Sequence, residues 1–124
     1  MVKSPRWIRP HTVTVINVLQ ENDDGEEQTS ATELRYVKVE LGRKATYGST
    51  GRSYTDTVSV IIDANDLVAT KAYVNPTDFN NPSLQFTLRL GDRIRYENLE
   101  FEISRIVHTN PLRGTPEFIE VTAA

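Results

Sequence analysis

The stretch Arg93–Val107, "RIRYENLEFEISRIV", constrains the fold more than any other part of the chain. Its apolar residues recur at every second position, Ile94 and Tyr96 and then Leu99, Phe101 and Ile103. A period of two belongs to a strand with one buried face. The phase slips between Tyr96 and Leu99, and a two-residue turn at Glu97-Asn98 absorbs the slip. That turn sets Tyr96 opposite Leu99 and Ile94 opposite Phe101, so the four side chains share one face, as hairpin register requires. Asn98 tolerates the positive φ that such a turn needs. The stretch therefore predicts an antiparallel hairpin, which needs more strands to cover its apolar face.

The same test gives the opposite answer at Gly91-Asp92. A two-residue turn there would set Leu90 against Arg93 and force an apolar face onto a polar one. Gly91 and Asp92 are expected to form a corner, where the chain swings into another sheet or around a barrel. Upstream, "LQFTLRL" alternates Leu84, Phe86, Leu88 and Leu90 on one face. "LRYVKVEL" does the same with Val37, Val39 and Leu41, and "TVSVIID" with Val58, Val60 and Ile62. In "HTVTVINVLQ" the apolar face changes between Val15 and Ile16, which predicts either a bulge there or a strand buried on both sides. "EFIEVTA" supplies a last strand.

Between these segments lie turn-like stretches. Residues 21–33, "ENDDGEEQTSATE", hold six acidic and no basic residues and show no apolar period, so they read as a solvated acidic connection. Residues 42–56, "GRKATYGSTGRSYTD", read as a long flexible Gly-rich hairpin loop. "VNPTDFNNPS" is rich in turn formers, and Asp63 is placed to cap a short turn. One or two helical turns are the most this pattern allows. The expected fold is all-β: a small single-domain β-barrel or sandwich of six to seven short antiparallel strands with long loops.

A chain of 124 residues suits one domain. A net charge of −3 gives no global attraction to nucleic acid. The absence of cysteine excludes disulfides and thiolate metal sites. No apolar run approaches the about 18 residues of a membrane span, and the N-terminus lacks an apolar signal core. No membrane partner is expected.

The Gly-rich loop invites a phosphate-binding reading, which fails. A P-loop needs Gly, four residues and then Gly-Lys-Ser/Thr before a helix; here Gly48 and Gly51 are too close, the basic residue is Arg52, and a strand follows. A single-stranded nucleic-acid interface is the alternative reading, with Arg43, Lys44 and Arg52 as cations and Tyr47 and Tyr54 as stacking rings. Catalysis has little to stand on: His11 and His108 sit in unrelated contexts, and no nucleophile motif occurs. The acids Asp23, Asp24, Glu26 and Glu27 lack the spacing of a calcium loop. No catalytic, cofactor-binding or metal-ligating residue is assigned, and no cofactor is expected. Trp7, between two prolines in "SPRWIRPH", is either a lid on the barrel end, the preferred reading, or an exposed partner anchor.

Together these segments resemble the minor capsid and head–tail joining (neck) proteins of tailed bacteriophages and prophages. "RPHTVTV" is similar to their opening segment, "VSVIIDANDLVA" to their central strand and turn, and "FTLRLGDRIRYENLEFEISRIV" to their most recognisable part; the end "EFIEVTAA" also fits. Where such proteins often carry Asn-Gly at the tight turn, this chain has Glu97-Asn98. The resemblance implies a non-enzymatic virion protein, assembled in the bacterial host cytoplasm. It implies a homo-oligomeric ring between portal or adaptor and tail-completion proteins, lining or closing the DNA channel and touching packaged DNA non-specifically. Under that reading Trp7, Arg43, Lys44, Tyr47, Arg52 and Tyr54 are the candidate partner or DNA contacts.

Overall fold

The period-two segments become strands, and the strands close on themselves. The computed structural model describes residues 4–21, 25–48, 51–109 and 117–124, with backbone alone for residues 21, 44–47 and 52–55. In chain order the strands are β1 (His11–Glu21), β2 (Glu27–Gly48), β3 (Gly51–Asp63), β4 (Val68–Ala69), β5 (Ala72–Tyr73), β6 (Gln85–Phe86), β7 (Arg93–Tyr96), β8 (Leu99–Thr109) and β9 (Phe118–Ala123). Short 3₁₀ turns occupy Arg6–Ile8, Ala64–Asp66 and Pro76–Asp78. Asp63 caps the second of these, its carboxylate accepting from the Asn65 N–H at 2.9 Å.

Six strands, in the order β1-β7-β8-β9-β3-β2, form an antiparallel barrel that closes by pairing β2 with β1, and β4 adds to β2 outside the ring. A sandwich is thereby excluded. Closure requires strands that bend, and three bulges supply the bends. In β2, Arg35 and Tyr36 oppose a single β1 residue, with Tyr36 at φ 57°. In β1 the extra residue falls between Val18 and Gln20, and in β8 between Ile103 and Arg105. The face change in β1 is therefore not a bulge at Val15-Ile16. Val15, Ile16 and Asn17 are all buried, so the strand is covered on both sides there.

The hairpin β7–β8 has the expected register, Tyr96 opposite Leu99 and Ile94 opposite Phe101. Glu97 and Asn98 form its turn at φ 50° and 69°, the left-handed pair that matches strand twist. Inward residues from every barrel strand meet in one core, including Val13, Leu34, Val60, Ile94, Ile103 and Val121.

Three sequence expectations change. The acidic connection of residues 21–33 is shorter, because β2 starts at Glu27 and pairs back to Glu21. Its inward positions, Ser30 and Thr32, are small and polar, so no apolar period marks the strand. The loop of residues 42–56 is a continued ladder: β2 and β3 pair rung by rung from Gly42↔Thr57 out to Gly48↔Gly51. Beyond Val58↔Ala123 neither strand pairs with a third among the described residues, so this part is a two-stranded arm. The strands are also not uniformly short, since β2 runs for 22 residues.

"LQFTLRL" is not a barrel strand. Phe86 and Leu88 enter the core, but Leu84 and Leu90 are each 67% exposed. Only Gln85–Phe86 pairs, in parallel with Ala72–Tyr73. Thr87 finds its partners elsewhere. Its N–H donates to Asn17 Oδ1 at 3.3 Å, and its carbonyl accepts from Asn17 Nδ2 at 2.7 Å. A buried side-chain amide thus replaces the ladder.

Asp92 completes this clamp. The chain turns at Gly91, φ 91°, and buries the Asp92 carboxylate. Asp92 accepts from Asn17 Nδ2 at 2.8 Å, from the Val18 N–H at 3.0 Å and from Arg89 Nε at 3.0 Å. Asn17→Ala strands the Thr87 backbone and removes one donor from Asp92. Each orphaned buried group costs about 1–3 kcal/mol, so a loss of about 2–4 kcal/mol is expected in urea unfolding at unchanged m. A loss under about 0.5 kcal/mol would mean that the clamp contributes nothing net.

Candidate partner interface

The two ends of the barrel differ in chemistry. At the Asp63 end, a buried ion network ties the N-terminal segment to the barrel. Arg9 is fully buried, an unusual fate for a guanidinium unless it is paired. It donates to Asp66 Oδ2 at 2.9 Å, to the Tyr36 carbonyl at 2.6 Å and to the Ser4 carbonyl at 2.7 Å, with Asp63 at 3.8 Å. Ser4 adds two donations to Asp63 Oδ2, from N–H at 2.7 Å and from hydroxyl at 2.8 Å. Arg6 makes a forked pair with Asp66 at 2.9 Å for both contacts and lies over the Tyr36 ring, 3.9 Å from its centroid. The hydrogen bond to Asp66 raises the Arg6 pKa above its ordinary value.

These bonds hold the Arg6–Ile8 turn from both sides and leave Trp7 between them. Trp7 is 80% exposed, so it is not the lid that the sequence favours. Arg9 takes the inward position instead, where it pairs with the buried Asp66 carboxylate, and Arg6 reaches the same carboxylate from the surface.

At the opposite end, the arm leaves the barrel at Leu41↔Val58. An open pocket of about 370 Å³ lies at its base, lined by Leu41, Gly42, Arg43, Asp56, Thr57, Leu99 and Phe101. Leu41 is 61% and Leu99 57% exposed, over a floor that includes the buried Phe101. The alternation had put Leu41 and Leu99 on core faces. They stay on those faces, but at rungs where the barrel has opened. Arg43 is exposed and pairs with the exposed Asp56 at 3.3 Å. The backbones of Lys44, Tyr47, Arg52 and Tyr54 fall in the arm ladder, as Lys44↔Thr55, Ala45↔Tyr54 and Tyr47↔Arg52; their side chains lie outside the described set. The arm thus gathers five of the six predicted contact residues, and Trp7 stands at the other end.

The histidines stay apart. His11 Nδ1 accepts from the Val39 N–H at 3.0 Å and its ring packs edge-on against Tyr96, a structural role. His108 borders a second open pocket with Tyr73 and Glu117. Burial, and secondarily Glu117, raise the Tyr73 phenol above its ordinary value. Among the described residues, no group of three or more His, Asp or Glu could hold a metal. No helix of the described residues is long and apolar enough to cross a membrane.

Fold and surface together define a small six-stranded antiparallel barrel with a two-stranded arm. The chain matches a family of unknown function, DUF6751, over residues 8–123, and it belongs to that family. No curated protein matches the chain.

The Arg9 network is testable on its own. Arg9→Met keeps the length and removes the charge, leaving Asp63 and Asp66 short of their buried partner. A loss of about 3–5 kcal/mol is expected. Asp66→Asn in the same chain should restore part of it, read as a coupling energy in chemical unfolding. Additive single effects would remove Asp66 from the role given to it here.

Proposed function

We propose that this chain is a structural protein of a tailed-phage or prophage virion, a subunit of the head–tail connector. In this reading it acts as a stopper or joining protein. Copies form a ring between portal and tail, and the ring lines or closes the DNA channel. The observation that carries the reading is the arm from Gly42 to Thr57, a hairpin whose outer edges have no third strand among the described residues. A lone two-stranded hairpin is only marginally stable in water, and its unpaired edges are templates for pairing with another chain. A subunit that meets neighbours would put such an element to use. The resemblance carried by "FTLRLGDRIRYENLEFEISRIV" points to the same class; of that stretch the β7–β8 hairpin forms in the expected register, while "FTLRL" pairs only at Phe86. Membership of the DUF6751 family assigns no activity.

Two experiments test this. The chain is tagged and co-expressed with the portal, adaptor and tail-completion proteins of its own gene neighbourhood, and the purified material is viewed by electron microscopy. Ring-shaped density containing the chain is expected; failure to join any neck protein or particle would sink the reading. In the second, Asn-Gly replaces Ala45–Tyr54, leaving Lys44↔Thr55 as the last rung. The barrel should fold and assembly should fail. If assembly survives, the arm is only a connection between strands. Saturable binding of an oligothymidine at low salt, lost steeply with added salt and on Tyr47→Ala with Tyr54→Ala, would favour a single-strand-binding barrel instead.

A further inference from the structure

We propose that the gap at the base of the arm, between Asp56 on β3 and Glu100 on β8, receives a single extended strand from another polypeptide. The proposal names the place where a partner of the connector reading would pair, but its test needs only the purified protein.

The gap has the width of one strand. β9 lies between β8 and β3, and both neighbours run on past its last rungs. On one side β3 extends from Thr57 back to Gly51. On the other, β8 extends through Phe101 to Leu99. Two strands with a third between them stand about 10 Å apart. The pocket of about 370 Å³ lies in this gap, with Asp56 and Thr57 on one wall and Leu99 and Phe101 on the other.

The backbone of both walls is aimed into the gap. Glu102 exchanges two hydrogen bonds with Ala124, at 2.9 and 3.0 Å. In an antiparallel strand the N–H and C=O groups face the same neighbour at every second residue. Glu100 is therefore the next β8 residue that faces this side, while Phe101 turns its groups to β7. On β3, the Ala64 N–H donates to the Glu117 carbonyl at 2.9 Å and marks the same alternation. It runs through Ile62, Val60 and Val58 to Asp56. Among the described residues, the Asp56 and Glu100 backbones have no partner on this side. A strand satisfies two such edges at once, through main-chain bonds to each. A small apolar molecule would cover Phe101 and leave both edges bare.

The existing ladder sets the direction and pattern of the guest. It runs as β9 does, antiparallel to both walls. β9 turns Ile119, Val121 and Ala123 inward. Continuing that register, the guest residue opposite Asp56 points inward, the next, opposite Glu100, points outward, and the one after, opposite Leu99, points inward again. The inward positions meet Leu41, Leu99 and Phe101, so they call for apolar side chains. A second copy is the poorer guest. Every described strand of this chain already pairs with another, and the arm is two strands wide where the gap admits one.

The probe is the peptide acetyl-Val-Thr-Val-Thr-Val-Lys-Lys-amide, titrated into the isotope-labelled chain and followed by nuclear magnetic resonance. Saturable binding is expected, with hydrogen exchange of the Asp56 and Glu100 amides slowed. N-methylation of the second peptide residue removes the N–H that faces Glu100 and keeps every side chain. It should weaken binding about ten-fold, the worth of one hydrogen bond. Leu99→Asp, at an exposed side chain, should weaken it several-fold with the unfolding midpoint unchanged. No saturable change up to about 1 mM peptide, the weak end of specific binding, would overturn the proposal. Equal binding of the N-methyl peptide would overturn strand pairing in favour of an apolar contact alone. Slowed exchange of the same two amides on concentrating the chain without peptide would overturn it in favour of a second copy. Peptide capture by a chain that joins no neck protein sinks the connector reading alone. Ring density without peptide capture sinks this strand site alone.

Discussion

The seam between β1 and β7 is the narrowest in the barrel, and Asp92 holds it. Only Thr14, Val15 and Ile16 pair across to Arg95, Ile94 and Arg93. Three rungs are little to close a ring whose other ladders run six rungs or more, except for the tight β7–β8 hairpin. The carboxylate of Asp92 extends the seam by accepting the next backbone N–H, that of Val18. Asn17 bridges from there to Thr87, which draws Phe86 and Leu88 into the core on either side. A short β7 is thus compensated by a segment that is not a strand at all. The arrangement depends on a buried carboxylate being fully bonded, since an ionised group left short in such a place would cost several kcal/mol.

That dependence explains what could be read from residues alone. The β7–β8 hairpin was legible to the rung because two rules agree on it. The phase slip between Tyr96 and Leu99 allows one turn length, and Asn98 suits the geometry of that turn. The corner at Gly91-Asp92 was legible for the converse reason, since a hairpin there would have mismatched its faces. What lay beyond reach was any strand or segment held by polar groups. Ser30 and Thr32 face inward without an apolar signature, and so most of the β1–β2 ladder looked like solvated linker. "LQFTLRL" has a perfect strand pattern, yet Asn17 takes the backbone bonds of Thr87, and Leu84 and Leu90 are left outside. A period of two says which side chains share a face, not whether the neighbouring backbone is free to pair.

The candidate interface was half legible for a related reason. Glycines and hydroxyls in residues 42–56 look like flexibility, but Gly48 and Gly51 are a rung of the ladder. Lys44 and Tyr47 fall on one strand of the arm and Arg52 and Tyr54 on the other, and the pairing of the two strands was hidden. The Leu41–Leu99 pocket had no signal, because alternation assigns a face but cannot tell where the barrel wall ends. Arg9 had none either. An arginine in "SPRWIRPH" reads as surface, and only the two acids that it meets, Asp63 and Asp66, make its burial possible.

The Arg9 network also bears on why the chain keeps a polar end. Buried ion pairs rarely add net stability over well-packed apolar residues of the same volume, so stability alone is a weak reason for this one. What the network provides is direction. Arg9 spans the Asp66 carboxylate and the carbonyls of Tyr36 and Ser4, and Arg6 meets Asp66 with a planar fork. A guanidinium in that geometry admits one orientation, where an aliphatic side chain would admit several. The same bonds fix the left-handed Tyr36 bulge, which lets β2 bend into the barrel and continue toward the arm. One cluster therefore sets both the entry of the N-terminal segment and the path of the longest strand. The turn that carries Trp7 and the bend that sends β2 toward the arm are thus anchored by the same guanidinium, that of Arg9.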